Sequence, residues 1–131
     1  KLGVSDKVEF CDYSNRQEFL ESMSNFDVLA LPTESEGLSR TIIDAMTMQL
    51  PVIASEVPGL SYVRHKVTGF KCRNTPEEWA RMIKYVAEDQ KISREIARSA
   101  SDLSDTPVIP KELEYTFVNF LVKTGIHKES T

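Results

Sequence analysis

The sequence has little cysteine and none of the patterns that disulfide or zinc frameworks need. Its two cysteines, Cys11 and Cys72, stand far apart in a chain of 131 residues and form no C-x-x-C. That excludes a disulfide scaffold and fits reduced thiols in a cytoplasm. No apolar run approaches the roughly 20 residues that span a bilayer, and no basic-then-apolar leader opens the chain. No D-x-D carboxylate pair is present, so no metal is implied. The absence of a G-x-S-x-G nucleophile turn and of a phosphoacceptor Asp at a strand end sets aside a hydrolase or a flavodoxin-like receiver. Positive charge is also short. Lys and Arg number 16 against 20 Asp and Glu, a net charge of −4, which is a poor balance for gripping nucleic acid.

What is present is the composition of an ordinary globular chain, 40% apolar and 27% charged, of a length that makes one domain or a piece of one. The charge is unevenly spread. Residues 1–44 carry 4 basic and 9 acidic side chains, and residues 64–98 carry 9 basic and 5 acidic. Two solvated faces of opposite sign account for this. The sharper reading is a basic surface, with Arg64, Lys66, Lys71 and Arg73, near an anionic substrate or a lipid headgroup.

The hydrophobic period switches along the chain. Lys7 to Phe10 alternates as a short strand. Asn15 caps a helix through Phe19, Leu20 and Met23, with Glu18 as its capping partner. Val28 to Leu31 and Val52 to Ser55 are short continuous apolar runs, the pattern of strands buried on both faces. Between them, Ile42, Ile43, Ala45 and Met46 share one face of a helix that begins after Ser39. Phe70 to Arg73 reads as one more strand. Thr75-Pro76-Glu77-Glu78 is a helix start with cap, first-turn proline and capping box. Trp79 lies on that helix's apolar face and reads as core. A second helix runs through Ile92, Ile96, Ala100 and Leu103. Leu113 to Val122 reads as a last helix that Gly125 ends. Strands alternating with helices predict an α/β fold, a Rossmann-like parallel sheet with helices on both faces. Residues 1–124 form this domain and 125–131 a polar tail. Lys1 to Val4 resembles the end of a helix, and four strands are few for such a sheet, so the domain is expected to be truncated at its N-terminus.

The segment with chemical content is Leu31-Pro32-Thr33-Glu34-Ser35-Glu36-Gly37-Leu38-Ser39-Arg40-Thr41-Ile42-Ile43-Asp44. Here a buried strand runs through a loop into a helix N-terminus. Ligands of open α/β sheets sit at the carboxyl ends of strands, and a helix N-terminus offers unpaired N–H groups to a phosphate. Gly37 lets backbone approach a ligand, and Ser39 and Thr41 add hydroxyls. Glu36 and Asp44 are eight residues apart, about 12 Å at helical rise, comparable to a sugar diphosphate. Both carboxylates are acceptors suited to sugar hydroxyls.

This run, with Leu50-Pro51-Val52-Ile53-Ala54-Ser55-Glu56-Val57-Pro58-Gly59-Leu60 and Val67-Thr68-Gly69-Phe70 after it, resembles the retaining glycosyltransferases of family 4. Those enzymes pair two Rossmann-like domains in the GT-B fold. The resemblance covers residues from about Val4 to Val86 and implies the donor-binding domain, which takes a nucleotide sugar, UDP- or GDP-linked, without a metal. It implies that Glu36 contacts the sugar near the reacting carbon. Gly37, Leu38, Ser39, Arg40 and Thr41 would lie beside sugar and diphosphate. Asp44 would hold the ribose hydroxyls, and Tyr13 and Ser14 would lie near the base. The sequence departs from the pattern at Asp44, one methylene shorter than the usual glutamate, and at Gln49, where glycine often stands. The family's basic diphosphate clamp and its N-terminal acceptor domain match no residue here. The isolated chain is therefore expected to be inactive, part of a sugar-transferring enzyme that works on a lipid-linked or glycan acceptor. The alternative is a diverged nucleotide-binding or protein-interaction module without catalysis.

Overall fold

A computed structural model describes residues 3–104 and 120–122. The elements follow as α1 (Arg16–Met23), β1 (Val28–Leu31), α2 (Arg40–Thr47), β2 (Val52–Ser55), β3 (Phe70–Cys72), α3 (Pro76–Glu88), α4 (Gln90–Ser104) and β4 (Phe120–Val122). The sheet order is β3-β2-β1-β4. β1, β2 and β3 are parallel, with Leu29 opposite Val52 and Ile53 opposite Phe70. The three helix starts follow their caps: the side chains of Asn15, Ser39 and Thr75 accept from the N–H groups of Glu18, Ile42 and Glu78.

Strand periodicity sends alternate residues to opposite faces. Leu29, Leu31, Val52 and Ala54 join Phe19 and Met23 of α1 and Ile42 and Met46 of α2 in one core. Val28 and Ile53 face the other way and join Phe70, Val86 and Ile96, with Trp79 and Ile83 of α3 packed on them. Helices thus cover both faces of a Rossmann-like sheet, which is why β1 and β2 read as unbroken apolar runs.

Two sequence expectations are corrected. Lys7 to Phe10 forms no strand: Ser5–Lys7 is a 3-10 turn and Phe10 is 92% exposed. Alternation supplies an apolar face, but a strand also needs a neighbouring ladder, and none of the described strands pairs with this segment. The expected last helix also fails where it can be seen. Phe120–Val122 is a strand, antiparallel to β1, with Leu121 opposite Leu29. Phe-Leu-Val suits a strand as well as a helix, and the open edge of β1 supplies unpaired N–H and C=O groups for it. The remainder of that predicted helix, with Tyr115 and Phe117, and the tail 125–131 lie outside the described residues. Among the described residues no helix is long and apolar enough to cross a membrane.

Candidate functional site

The carboxyl ends of β1 and β2 and the N-terminus of α2 meet around the loop from Pro32 to Leu38. Its upstream end is clamped by a closed ring of hydrogen bonds. The Thr33 N–H donates to Ser55 Oγ at 2.8 Å. Ser55 Oγ donates to Asn74 Oδ1 at 2.7 Å. Asn74 Nδ2 donates back to the Thr33 carbonyl at 2.7 Å. Trp79 Nε1 donates to the same Asn74 Oδ1 at 3.0 Å, so the tryptophan is a core residue with one polar duty at the loop. The Thr33 hydroxyl bonds the Ser35 carbonyl at 2.9 Å and lies 3.5 Å from Glu36 Oε2. Both backbone groups of Thr33 are therefore held, and Glu36 projects from a short, fixed turn.

The downstream end is held by the segment after β2. Gly59 lies against the Glu36–Gly37 peptide so closely that a Cβ there would clash with the Glu36 carbonyl oxygen and fall 2.7 Å from its carbonyl carbon. Three residues on, the Ser39 N–H donates to the Tyr62 hydroxyl at 2.8 Å. Burial is the main cause that pushes the Tyr62 phenol up to about 12; the Ser39 N–H opposes it and the Glu36 charge adds to it.

The predicted residues now have places. Glu36 is half-buried, Gly37 is exposed and Leu38 half-buried. Around Gly37 a Cβ would meet nothing within 4 Å. Ser39 and Thr41 are 3% and 0% exposed. The Ser39 side chain is spent on capping Ile42, and the Thr41 hydroxyl is buried with no partner. Neither hydroxyl is open to an outside ligand, and the Ser39 N–H is already bonded to Tyr62. Arg40, half-buried, sits at the first helical position. Asp44 is 8% exposed, and Arg16 Nη2 donates to its Oδ1 at 2.6 Å. That bond ties the start of α1 to α2. The Tyr13 ring meets Phe19 edge-on at 5.3 Å. The Ser14 N–H and O–H both donate to Glu18 Oε2, at 2.9 and 2.7 Å.

The basic stretch falls elsewhere. Lys71 and Arg73 line an open cleft of about 560 Å³ together with Glu56, Glu78 and His65. Acids interleave with bases there. His65 Nδ1 accepts the Lys71 N–H at 3.0 Å, and burial together with the Lys66 charge lowers its pKa. Among the described residues no three His, Cys, Asp or Glu side chains are grouped to hold a metal.

Sequence reasoning missed Arg16, Ser55, Gly59, Tyr62 and Asn74. Only Ser55 left a signal, as the one polar residue closing an apolar strand.

Known proteins resemble this chain in sequence and fold. An uncharacterized glycosyltransferase of Haemophilus influenzae is 28% identical over 116 residues, 86% of this chain and 32% of that protein. A D-inositol 3-phosphate glycosyltransferase of Jonesia denitrificans is 28% identical over 100 residues, 75% of this chain and 24% of that protein. The chain thus spans a third or less of these curated relatives. Among solved structures, Anabaena Alr3699/HepE in complex with UDP-glucose superposes with a TM-score of 0.72 at 28% identity, covering 79% of this chain and 29% of that one. Sucrose-phosphate synthase from Thermosynechococcus elongatus reaches the same TM-score at 24% identity, covering 77% and 26%, a likeness of fold. The pattern of the family described as Glycosyl transferases group 1 matches residues 1–102. That span takes in the whole Glu36 loop, both of its clamps and the three parallel strands that carry them, and the chain belongs to the glycosyl transferases group 1 family.

Proposed function

We propose that this chain is the donor-binding part of a GT-B glycosyltransferase that moves a sugar from a nucleotide sugar to an acceptor hydroxyl with retention. The carrying observation is the loop held at both ends between β1 and α2, with Glu36 at its centre and the unmade backbone N–H groups of Gly37 and Leu38 just before the helix. Fixed donors and dipoles of this kind stabilise charge without reorganising during the reaction. Glu36 positions the sugar and offsets positive charge that develops at the anomeric carbon. The N–H groups of Gly37 and Leu38, just ahead of α2, face the departing diphosphate. The acceptor hydroxyl attacks the face that the nucleotide vacates. UDP is the favoured carrier, supported by the UDP-glucose held in the Anabaena relative. No step here requires a metal.

The chain alone is inactive in this reading, because the acceptor half and a cationic clamp belong to other parts of the enzyme. The enzyme works in the cytoplasm, where a lipid-linked or glycan acceptor would bring it to the inner face of a membrane. A second reading, a nucleotide-binding module without catalysis, draws support from the Arg16–Asp44 bond, because the guanidinium occupies one of the oxygens a ribose would use.

Titration of the isotope-labelled chain with millimolar UDP, GDP and ADP tests the site. Amide shifts concentrated at Gly37 to Thr41 and at Asp44, strongest with UDP, are expected. No localised shift with any nucleotide overturns the donor site. Glu36→Ala, placed in a protein that carries the acceptor half, separates the two readings: transfer is lost in the first and unaltered function belongs to the second.

A further inference from the structure

We propose that the Tyr62 phenol is a direct hydrogen-bond donor to the outer phosphate of a nucleoside diphosphate bound at the start of α2. The proposal rests on the donor-site reading above and adds to it a residue from the far side of β2.

The ring is fixed, because Tyr62 packs on the core cluster that includes Leu60 and Val63. Its oxygen takes the Ser39 N–H at 2.8 Å. That bond uses an oxygen lone pair and leaves the hydroxyl proton to be donated elsewhere. Among the described residues no acceptor receives that proton, and none receives the backbone N–H of Gly37, Leu38 or Thr41. Thr41 is fully buried, so the phenol O–H and the N–H groups of Gly37 and Leu38 are the unmade donors of one loop and its clamp, a set that complements phosphate oxygens. Glu36 is an acceptor in its ionised form and suits sugar hydroxyls instead. The two residues thus divide the ligand between them.

Donation from Ser39 into the phenol oxygen also polarises the O–H and strengthens it as a donor. The phenol keeps its proton far above neutrality, since burial pushes it up to about 12. It can therefore serve as a donor at any physiological pH without carrying charge into the site.

The test compares wild-type chain with Tyr62→Phe in titrations with UDP, UMP and uridine, read by amide shifts and by the ring-carbon resonance of Tyr62 in tyrosine-labelled protein. The expected result is about a tenfold loss of UDP affinity in Tyr62→Phe, the size of one hydrogen bond to a charged group, with UMP binding unchanged. In the wild type the Tyr62 Cζ resonance shifts with UDP and stays still with uridine, a readout that holds even if the variant folds poorly. Equal UDP affinity in both proteins, or an equal loss for UMP and UDP, overturns the proposal while leaving the donor site standing. Absence of any localised shift in the wild type overturns the donor site and the proposal with it.

Discussion

Two glycines of the site loop and its clamp stand in opposite circumstances, and alanine at each gives opposite results. At Gly59 a Cβ would overlap the Glu36 carbonyl oxygen and approach its carbon to 2.7 Å and Gly37 Cα to 3.1 Å. All three are backbone atoms, so no rotamer change relieves the clash. An ordinary contact begins near 3.4 Å, so the Glu36–Gly37 peptide or the Pro58–Leu60 turn must move by about 1 Å or more in a packed region. Overpacking of this kind costs about 1–3 kcal/mol. For a chain of this size that is a fall in Tm of roughly 4–12 °C. It also moves Glu36, and a misplacement of about 1 Å in a reacting group can lower a rate on the order of 10²-fold. At Gly37 a Cβ meets nothing within 4 Å, so Gly37→Ala should keep its stability within about 0.5 kcal/mol. It should still weaken nucleotide binding if the proposed donor site is right, because that reading puts the ligand in this space. Thermal melts by circular dichroism and amide spectra of both variants decide it. If Gly59→Ala melts with the wild type and the Glu36 to Ser39 amides stay in place, the clamp is not what holds the loop. If Gly37→Ala binds UDP as the wild type does, the ligand does not use that face.

Three further results are expected. Gln49 follows α2 with φ +58°, a left-handed conformation that costs an L residue about 1–2 kcal/mol and glycine much less. Gln49→Gly should therefore raise the urea-unfolding free energy by about 0.5–1 kcal/mol after glycine's own entropy is set against it. Arg16→Gln removes the guanidinium from Asp44 while Asp44 stays 8% exposed. With the Arg16 side chain 42% exposed, a loss of about 1–2 kcal/mol is expected, between the values for exposed and buried pairs, and Asp44→Asn should recover part of it in the double variant. Burial pushes the Tyr62 phenol up to about 12 in the fold, from 10.0 for the free side chain. The unfolded chain therefore releases its proton first, so stability that is complete below pH 10 falls as pH rises toward 12. That decline in urea midpoint should be shallower in Tyr62→Phe.

What the sequence made legible was local. The caps Asn15 and Thr75 announce their helices because a side-chain oxygen near an unpaired N–H is a short-range signal, and each bonds as expected, whereas Ser39, whose hydroxyl was expected to serve a ligand, caps α2 instead. β1 and β2 are legible because burial on both faces leaves no polar residue inside them. The loop between β1 and α2 could be placed because strand end, glycine and helix cap fall within nine residues. The clamps were not legible, because Asn74 and Thr33 are 41 residues apart and Tyr62 and Ser39 are 23 apart. Nothing in a polar or aromatic residue's own neighbourhood says which distant backbone group it will meet. Lys7 to Phe10 and Phe120–Val122 failed for a related reason. A three- or four-residue strand is decided by which sheet edge is open, and sequence periodicity carries no record of that edge.

The electrostatics of the site give a last expectation. Glu34, Glu36 and Asp44 stand at or near the loop, and the Arg16 cation there is bonded to Asp44. An anionic ligand is then attracted by N–H and O–H dipoles in direct contact and repelled by nearby carboxylates. Dipole contacts are short-ranged, and salt leaves them almost unchanged. Repulsion between separated like charges is screened, with a Debye length of about 30 Å at 0.01 M and 3 Å at 1 M. UDP binding by this chain should thus stay level or strengthen slightly as NaCl rises between those limits, the reverse of a site built on Lys and Arg. Titrations across that range measure it directly. A steep loss of affinity with salt would mean that a cation such as the half-buried Arg40 carries the phosphate, and that the dipoles of the loop and of Tyr62 are secondary.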